Sequence, residues 1–410
     1  MKYLTLLYDG MADLPCPALG CKTPMELARK PRFDAMGRDA EVGMVRTIPV
    51  GCEPGSDVAN LSVLGYDPQL YYTGRSPLEA VNMGVPMGPD DFALRCNLVA
   101  LSRDEPYAAK TMLDYSGGDI HTEEAAGVIA ALQAQLGDDT FAFYPGVAYR
   151  HCLLWKGGAR SSALAAALQG LTPPHNITDR PIAGHLPQGE AAPLLHLMKR
   201  SAELLKDHPV GGDPSARLSI WLWGAGTLPK LPSFEERCGL KGSIISAVDL
   251  LKGIGILAGM RTPAVPGATG YIDTNYEGKA CCAVNEFKAG QDFVYLHMEA
   301  TDECGHRGEA ENKVRGIELA DERVLPIVTD YLENCGEDYA ILILPDHPTP
   351  LATRTHSRDP VPYMLYRSAG RGSGRGVLTV TEASAAATGV FVEKGTELVG
   401  RLCGSSGQQV

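Results

Sequence analysis

Acidic residues and histidines stand directly after three apolar stretches of this chain. Asp9 follows residues 2–7, Glu299 and Asp302 follow 293–298, and Asp346-His347 follow 339–344. Carboxylates and imidazoles are the ligands that hard and borderline divalent cations bind. One Asp at a strand end is more often a cap. Three such ends, far apart in the chain and each followed by Gly, Pro or further His, point to a single metal centre. Asp302 and His306 are four apart in ATDECGHRG, so one helical turn would put both on the same face. His356 comes nine residues after His347, in THSRDPVP. With Asp9 and Asp346 these residues make three carboxylates and three imidazoles, enough for the two-metal arrangement that serves phosphoryl transfer.

Ser56 is the nucleophile candidate. It follows Pro-Gly and precedes the apolar run 58–64, so it stands at a helix start where backbone N–H groups favour a phosphate. A serine hydroxyl needs a base or a metal to become a nucleophile. Taken alone, Ser56-Asp57 also reads as an ordinary side-chain cap.

Positioning these groups requires strands that end at one edge. Apolar runs at 2–7, 292–298 and 339–345 read as parallel strands, with helices over 24–30, 243–258 and 312–332. The middle differs in character, with strands at 93–101, 149–155 and 219–223 and amphipathic helices at 123–136 and 191–206. Asp9 lies at one end of the chain and its partners at the other, so a simple two-part division would separate them. The expected organisation is therefore a discontinuous core, residues 1–84 and 238–410, carrying an inserted α+β domain at 85–237. The stretches GRGSGRG at 370–376 and GSSG at 404–407 read as a surface loop and a frayed tail.

The 410 residues, 44% hydrophobic and 21% charged, suffice for a substantial core. A net charge of −12 disfavours nonspecific binding to nucleic acid or to a membrane surface. Eleven scattered cysteines without a CxxC pair suit a reduced compartment, and no apolar run reaches the roughly 20 residues of a membrane span. A cytoplasmic enzyme is expected; the oligomeric state is left open. No GxxxxGK[ST] loop is present, and GIGILAG at 253–259 lacks the setting of a dinucleotide fingerprint.

The segments YDGMAD, PGSDVANLSVLGYDP, YYTGR, DECGH, PDHPTP and THSRDPVP closely resemble the cofactor-independent phosphoglycerate mutases of the archaeal type. YPGVAYRH, TPPHNITDRPI, SIWLWG and ISAVDLLKGIG extend the likeness over nearly the whole chain. The resemblance implies an alkaline-phosphatase-like α/β core, a mostly parallel sheet flanked by helices. It also implies interconversion of 3- and 2-phosphoglycerate without bisphosphoglycerate, through a phosphoserine at Ser56. One ion, Mn²⁺ or Zn²⁺ with Mg²⁺ as a further option, would be held by Asp9, Ser56, Asp346 and His347. Asp302, His306 and His356 would hold the second, and the resemblance gives Glu299 no ligand role. Asn60 stands where these mutases often carry a histidine. The chain also looks near a bacterial branch proposed to act as homoserine kinase, which supplies the alternative acceptor.

Phosphoglycerate carries a phosphate and a carboxylate, which call for Arg, Lys and His donors. The candidates in the middle segment are His121, Arg150, His151, His175 and Arg180; Arg75 and Lys252 are candidates from the core. His121, Asp119 and Asp179 are candidate general acid–base groups.

Overall fold

The computed structural model describes residues 1–404, so the GSSG stretch beyond Gly404 lies outside the described residues. The chain forms two compact units, Met1–Tyr72 together with the chain from Lys230, and Thr73–Pro229.

The first unit is built on a seven-stranded sheet. In chain order its strands are β1 (Lys2–Tyr8), β2 (Glu41–Val45), β9 (Gly242–Ile245), β10 (Phe293–Met298), β11 (Tyr339–Leu344), β12 (Val361–Arg367) and β13 (Phe391–Val392). They lie in the order β13-β2-β12-β11-β1-β10-β9. β1 is central and pairs in parallel with both β10 and β11. All of its residues are buried, as are those of β10 and β11. Strands covered on both faces carry continuous apolar runs rather than alternation, and this is why they were visible as runs in the sequence. β12 joins β11 and β2 in antiparallel sense at the other side of the sheet. One face packs Leu4, Leu6, Val294, Leu296, Ile341 and Ile343 against helices that include Tyr276–Lys288 and Ala310–Arg323.

The structure departs from the expected elements at three places, each for a local reason. The predicted helix over 243–258 is split, because Ser243-Ile244-Ile245 pair in parallel with β10 as β9, and the helix begins only at Asp249. β-branched residues on a paired edge favour strand. The predicted helix over 312–332 is two helices, Ala310–Arg323 and Leu325–Asn334. Pro326 sits in the first turn of the second, where its missing N–H costs nothing, whereas it would have broken a continuous helix. The helix expected over 24–30 stops at Leu27, and Pro31 opens a new one, Pro31–Gly37.

The second unit holds an antiparallel sheet of β3 (Phe92–Ser102), β4 (Thr111–Asp114), β5 (Phe141–Tyr144), β6 (Arg150–Trp155), β7 (Arg180–Pro181) and β8 (Ala216–Thr227). Helices Thr122–Leu136 and Ala192–Leu204 bury their apolar faces in its core with Leu94, Leu98, Leu153 and Trp221. The chain passes between units at 72/73 and 229/230, against the expected 84/85 and 237/238. Helix Arg75–Asn82 packs on β3 and β8, which draws residues 73–84 into the second unit. Phe234 packs against Phe293 with ring centroids 4.8 Å apart, which draws the segment from 230 into the first.

All eleven cysteines are free. Among the described residues, no helix is long and apolar enough to cross a membrane.

His151 on β6 is 4% exposed and its Nδ1 accepts from the Gly146 N–H at 3.0 Å. Burial pushes its pKa from 6.5 down to about 4. The folded state therefore keeps this ring neutral while the unfolded chain takes up a proton below pH 6.5. Stability from this group is complete above that pH and is lost as the pH falls towards 4, by about 3 kcal/mol in all. Urea titrations of the wild-type protein and His151→Leu should show the wild type losing that much relative to the variant. Parallel pH profiles would show that His151 is not buried in its neutral form.

Candidate active site

The parallel pairing of β1 with β10 and β11 sets Leu7 beside His297 on one side and Leu344 on the other. Asp9, Glu299 and Asp346 thus leave the sheet at one edge. Gly10, with φ +61°, turns the chain there, and its N–H donates to Asp346 Oδ1 at 3.0 Å. A Cβ at Gly10 would lie 2.8 Å from Asp302 Cα, so this close approach admits only glycine.

Ser56 is the first residue of helix Ser56–Val63, whose cap is Gly55 with no side-chain cap bond. The hydroxyl is therefore not used as a cap, and its Oγ lies 3.1 Å from His347 Nε2. Asn60, one turn on, is fully buried. Its Nδ2 donates to the Ser56 carbonyl at 2.8 Å and to Asp346 Oδ2 at 3.0 Å, while its Oδ1 accepts from the Tyr295 hydroxyl. Asn60 thus ties the serine helix to a strand-end carboxylate.

Two groups of donors converge at this edge. Single ligand atoms of Asp9, His297 and Asp346 lie within 4.8 Å of one another, and so do those of Asp302, His347 and His356. His306 joins the second group, its Nε2 2.9 Å from His356 Nε2 and 3.3 Å from Asp302 Oδ2. Its Nδ1 donates to the Arg354 carbonyl at 2.9 Å, which orients the ring with Nε2 towards the cluster. His347 stands between the groups. Its Nε2 is 3.4 Å from Asp346 Oδ2 and 3.7 Å from Asp9 Oδ1, and its ring lies 4.0 Å from that of His356. The structure therefore brings His347 together with Asp302 and His356 within 4.8 Å, as well as near the carboxylates with which the resemblance groups it.

These groups carry strong mutual fields. Burial raises Asp9 well above the usual carboxylate range, and the Asp346 and Asp302 charges add to it. Burial would also raise Asp302, but hydrogen bonds from His306 and His356 outweigh it and hold the acid well below its ordinary value. Asp302 in turn lifts His306 to about 9. Asp9 Oδ1 and His297 Nε2 are buried without a hydrogen-bond partner. Unpartnered buried polar atoms beside the Asp346 carboxylate are a donor set that fits a cation.

His297 was not among the sequence candidates. It lies inside an apolar strand, where a lone histidine reads as core. The signal was its place near the end of β10, two residues before Glu299. Glu299 itself is a brace: it accepts from Lys279 Nζ, from the Ala247 N–H at 2.7 Å and from Ser246 Oγ at 3.1 Å. Burial would raise its pKa, but Lys279 and His297 hold it far below the usual range.

In the second unit, Glu79 binds Arg75 at 2.8 Å and Arg95 at 3.0 Å. Burial would raise this acid, but the charges of Arg95 and Arg75 keep it ionised. Arg95 also lies over the Trp223 ring at 4.7 Å, and His175 meets Trp223 edge-on at 5.4 Å. Burial, then Arg95 and Arg75, push His175 below its ordinary pKa. Arg150, exposed, lies over Tyr149 and adds its charge to the same field. Arg75, Arg150 and His175 are thus brought together, and Arg95 joins them unpredicted. His121 and Arg180 are exposed, the first as the cap of Thr122–Leu136 and the second on β7. His151 is closed off by burial. Asp119 and Asp179 occupy left-handed turn conformations. In the first unit, Lys252 is half-buried on helix Asp249–Leu257.

Comparison with known proteins is consistent across sequence and structure. The family model described as 2,3-bisphosphoglycerate-independent phosphoglycerate mutase matches residues 37–211. A protein from Geobacter sulfurreducens, named a probable mutase of this kind, is 48% identical over 97% of this chain and 98% of its own. One from Methanothrix thermoacetophila, named as such a mutase, is 47% identical over the same shares. The solved structure of PH0037 from Pyrococcus horikoshii superposes with a TM-score of 0.79 at 28% identity, covering 99% of this chain and 98% of that one. A cofactor-independent phosphoglycerate mutase from Thermoplasma acidophilum shares the fold, with a TM-score of 0.64 at 24% identity over 99% and 100% of the two chains. The chain belongs to the 2,3-bisphosphoglycerate-independent phosphoglycerate mutase family.

Proposed function

We propose that this protein interconverts 3-phosphoglycerate and 2-phosphoglycerate through a phosphoserine at Ser56, with two divalent metal ions and without bisphosphoglycerate. The observation that carries the reading is the Ser56 hydroxyl, free of any capping bond and 3.1 Å from His347 within the carboxylate–imidazole cluster. Asp9, Ser56, Asp346 and His347 would hold one ion and Asp302, His306 and His356 the other. The mixed carboxylate–imidazole donors suit Mn²⁺ or Zn²⁺ better than Mg²⁺, which prefers oxygen. Bound there, the ions would lower the pKa of the Ser56 hydroxyl and offset the charge of the transferred group.

In the first half-reaction the Ser56 hydroxyl gives up its proton and its Oγ attacks phosphorus. The new P–O bond to serine forms as the bond to the glycerate oxygen breaks, and that oxygen takes a proton. In the second, the other glycerate hydroxyl loses its proton and attacks the phosphoserine, releasing the isomer and restoring Ser56. The N-terminus of helix Ser56–Val63 favours the phosphate at this position. Asn60 keeps the serine carbonyl and the Asp346 carboxylate in fixed relation throughout. Arg75, Arg95, Arg150 and His175 have the charge to recognise the substrate carboxylate; Arg pairs with a planar carboxylate through two parallel hydrogen bonds. The mutase names of the relatives favour this acceptor over homoserine.

Mutase turnover should be detectable by phosphorus NMR on 3-phosphoglycerate alone, with metal-loaded protein. Ser56→Ala should lower kcat by more than about 10³-fold while retaining the fold; substantial residual turnover would exclude the phosphoserine route. Removing a ligand in His306→Ala should weaken one of two metal sites by at least about 10-fold in calorimetric titration. Two unchanged affinities would remove His306 from the ligand set.

A further inference from the structure

We propose that His297 is a direct ligand, through Nε2, to the ion shared by Asp9 and Asp346, and that Glu299 orients it. The inference rests on the two-ion reading above and adds a ligand to it. His297 is fully buried at the end of β10. Its Nδ1 lies 3.2 Å from Glu299 Oε1 and 3.1 Å from Ser246 Oγ. Glu299 is itself fixed by Lys279, whose Nζ also donates to the His297 carbonyl at 2.9 Å. A carboxylate so placed takes the Nδ1 proton, which leaves the lone pair on Nε2 and is the arrangement that metal-ligating histidines adopt.

Nε2 lies 3.1 Å from Asp9 Oδ2 without being aligned to hydrogen-bond it, and it has no other hydrogen-bond partner. Two buried acceptor atoms this close need positive charge beside them, which a cation bound by both would supply. Asp9 Oδ1 is likewise unpartnered, and the Asp9, His297 and Asp346 atoms already converge within 4.8 Å.

The test is proton NMR of the Co²⁺-loaded protein, after metal analysis confirms two bound ions per chain. A liganding imidazole gives a strongly hyperfine-shifted, exchangeable Nδ1–H resonance. One such resonance should be present in the wild type and absent in His297→Gln, with the affinity of one site lowered more than 10-fold. A full set of shifted resonances and two unchanged affinities in that variant would overturn the inference. Should His297→Gln fail to fold, Glu299→Gln keeps the ligand and changes its partner. That variant should move the same resonance and weaken one site by about 10–100-fold; an unaltered spectrum overturns the inference. Fewer than two ions in the wild type would overturn the two-ion reading itself, a result distinct from a silent His297.

Discussion

Parallel pairing of β1 with both β10 and β11 is the constraint on which the rest of the site depends. Parallel strands end at the same edge, so residues hundreds of positions apart leave the sheet together. Asp9, Asp302 and Asp346 are forced near one another, each at least mostly buried and each unfavourable there alone. A buried carboxylate needs a cation or a proton nearby. Imidazoles meet that need in part, and the converging ligand atoms of Asp9, His297 and Asp346 are placed to hold a cation for the rest. Metal binding is in this sense the completion of an electrostatic arrangement that the sheet topology imposes.

The serine helix is fitted to the same edge by a separate device. Gly55 occupies the cap position, which frees the Ser56 hydroxyl, and Asn60 bonds both to the helix and to Asp346. A serine acting as its own helix cap would have its oxygen directed at the backbone. Here Gly55 occupies the cap position without a capping bond, and the Ser56 side chain faces His347.

The strand ends were legible in the sequence because central parallel strands are apolar throughout, and an abrupt Asp or His after such a run stands out. The same property concealed His297, which lies within a run rather than after it. Glu299 was visible as part of the pattern, but its work with Lys279 depends on a helix that only the fold brings beside β10. β9 was hidden in a stretch whose apolar spacing also suits the helix that follows, and β2 and β12 carry no abrupt ending to mark them. In the second unit Arg75, Arg150 and His175 could be named but not grouped. Arg95 and Glu79 form an ion pair across a strand and a helix, a contact that no local pattern records. The family resemblance implied roles for the ligands, and the geometry groups His347 with Asp302 and His356 while keeping it near Asp9 and Asp346.

The central claim is that phosphate passes through Ser56. Rapid acid quench of the metal-loaded protein turning over 3-phosphoglycerate, followed by peptide mass spectrometry, tests it most directly. The account predicts phosphate on the peptide carrying Ser56, appearing within the first turnover and lost once substrate is removed. Turnover at full rate with that peptide unmodified throughout, or with phosphate on another residue, would contradict it.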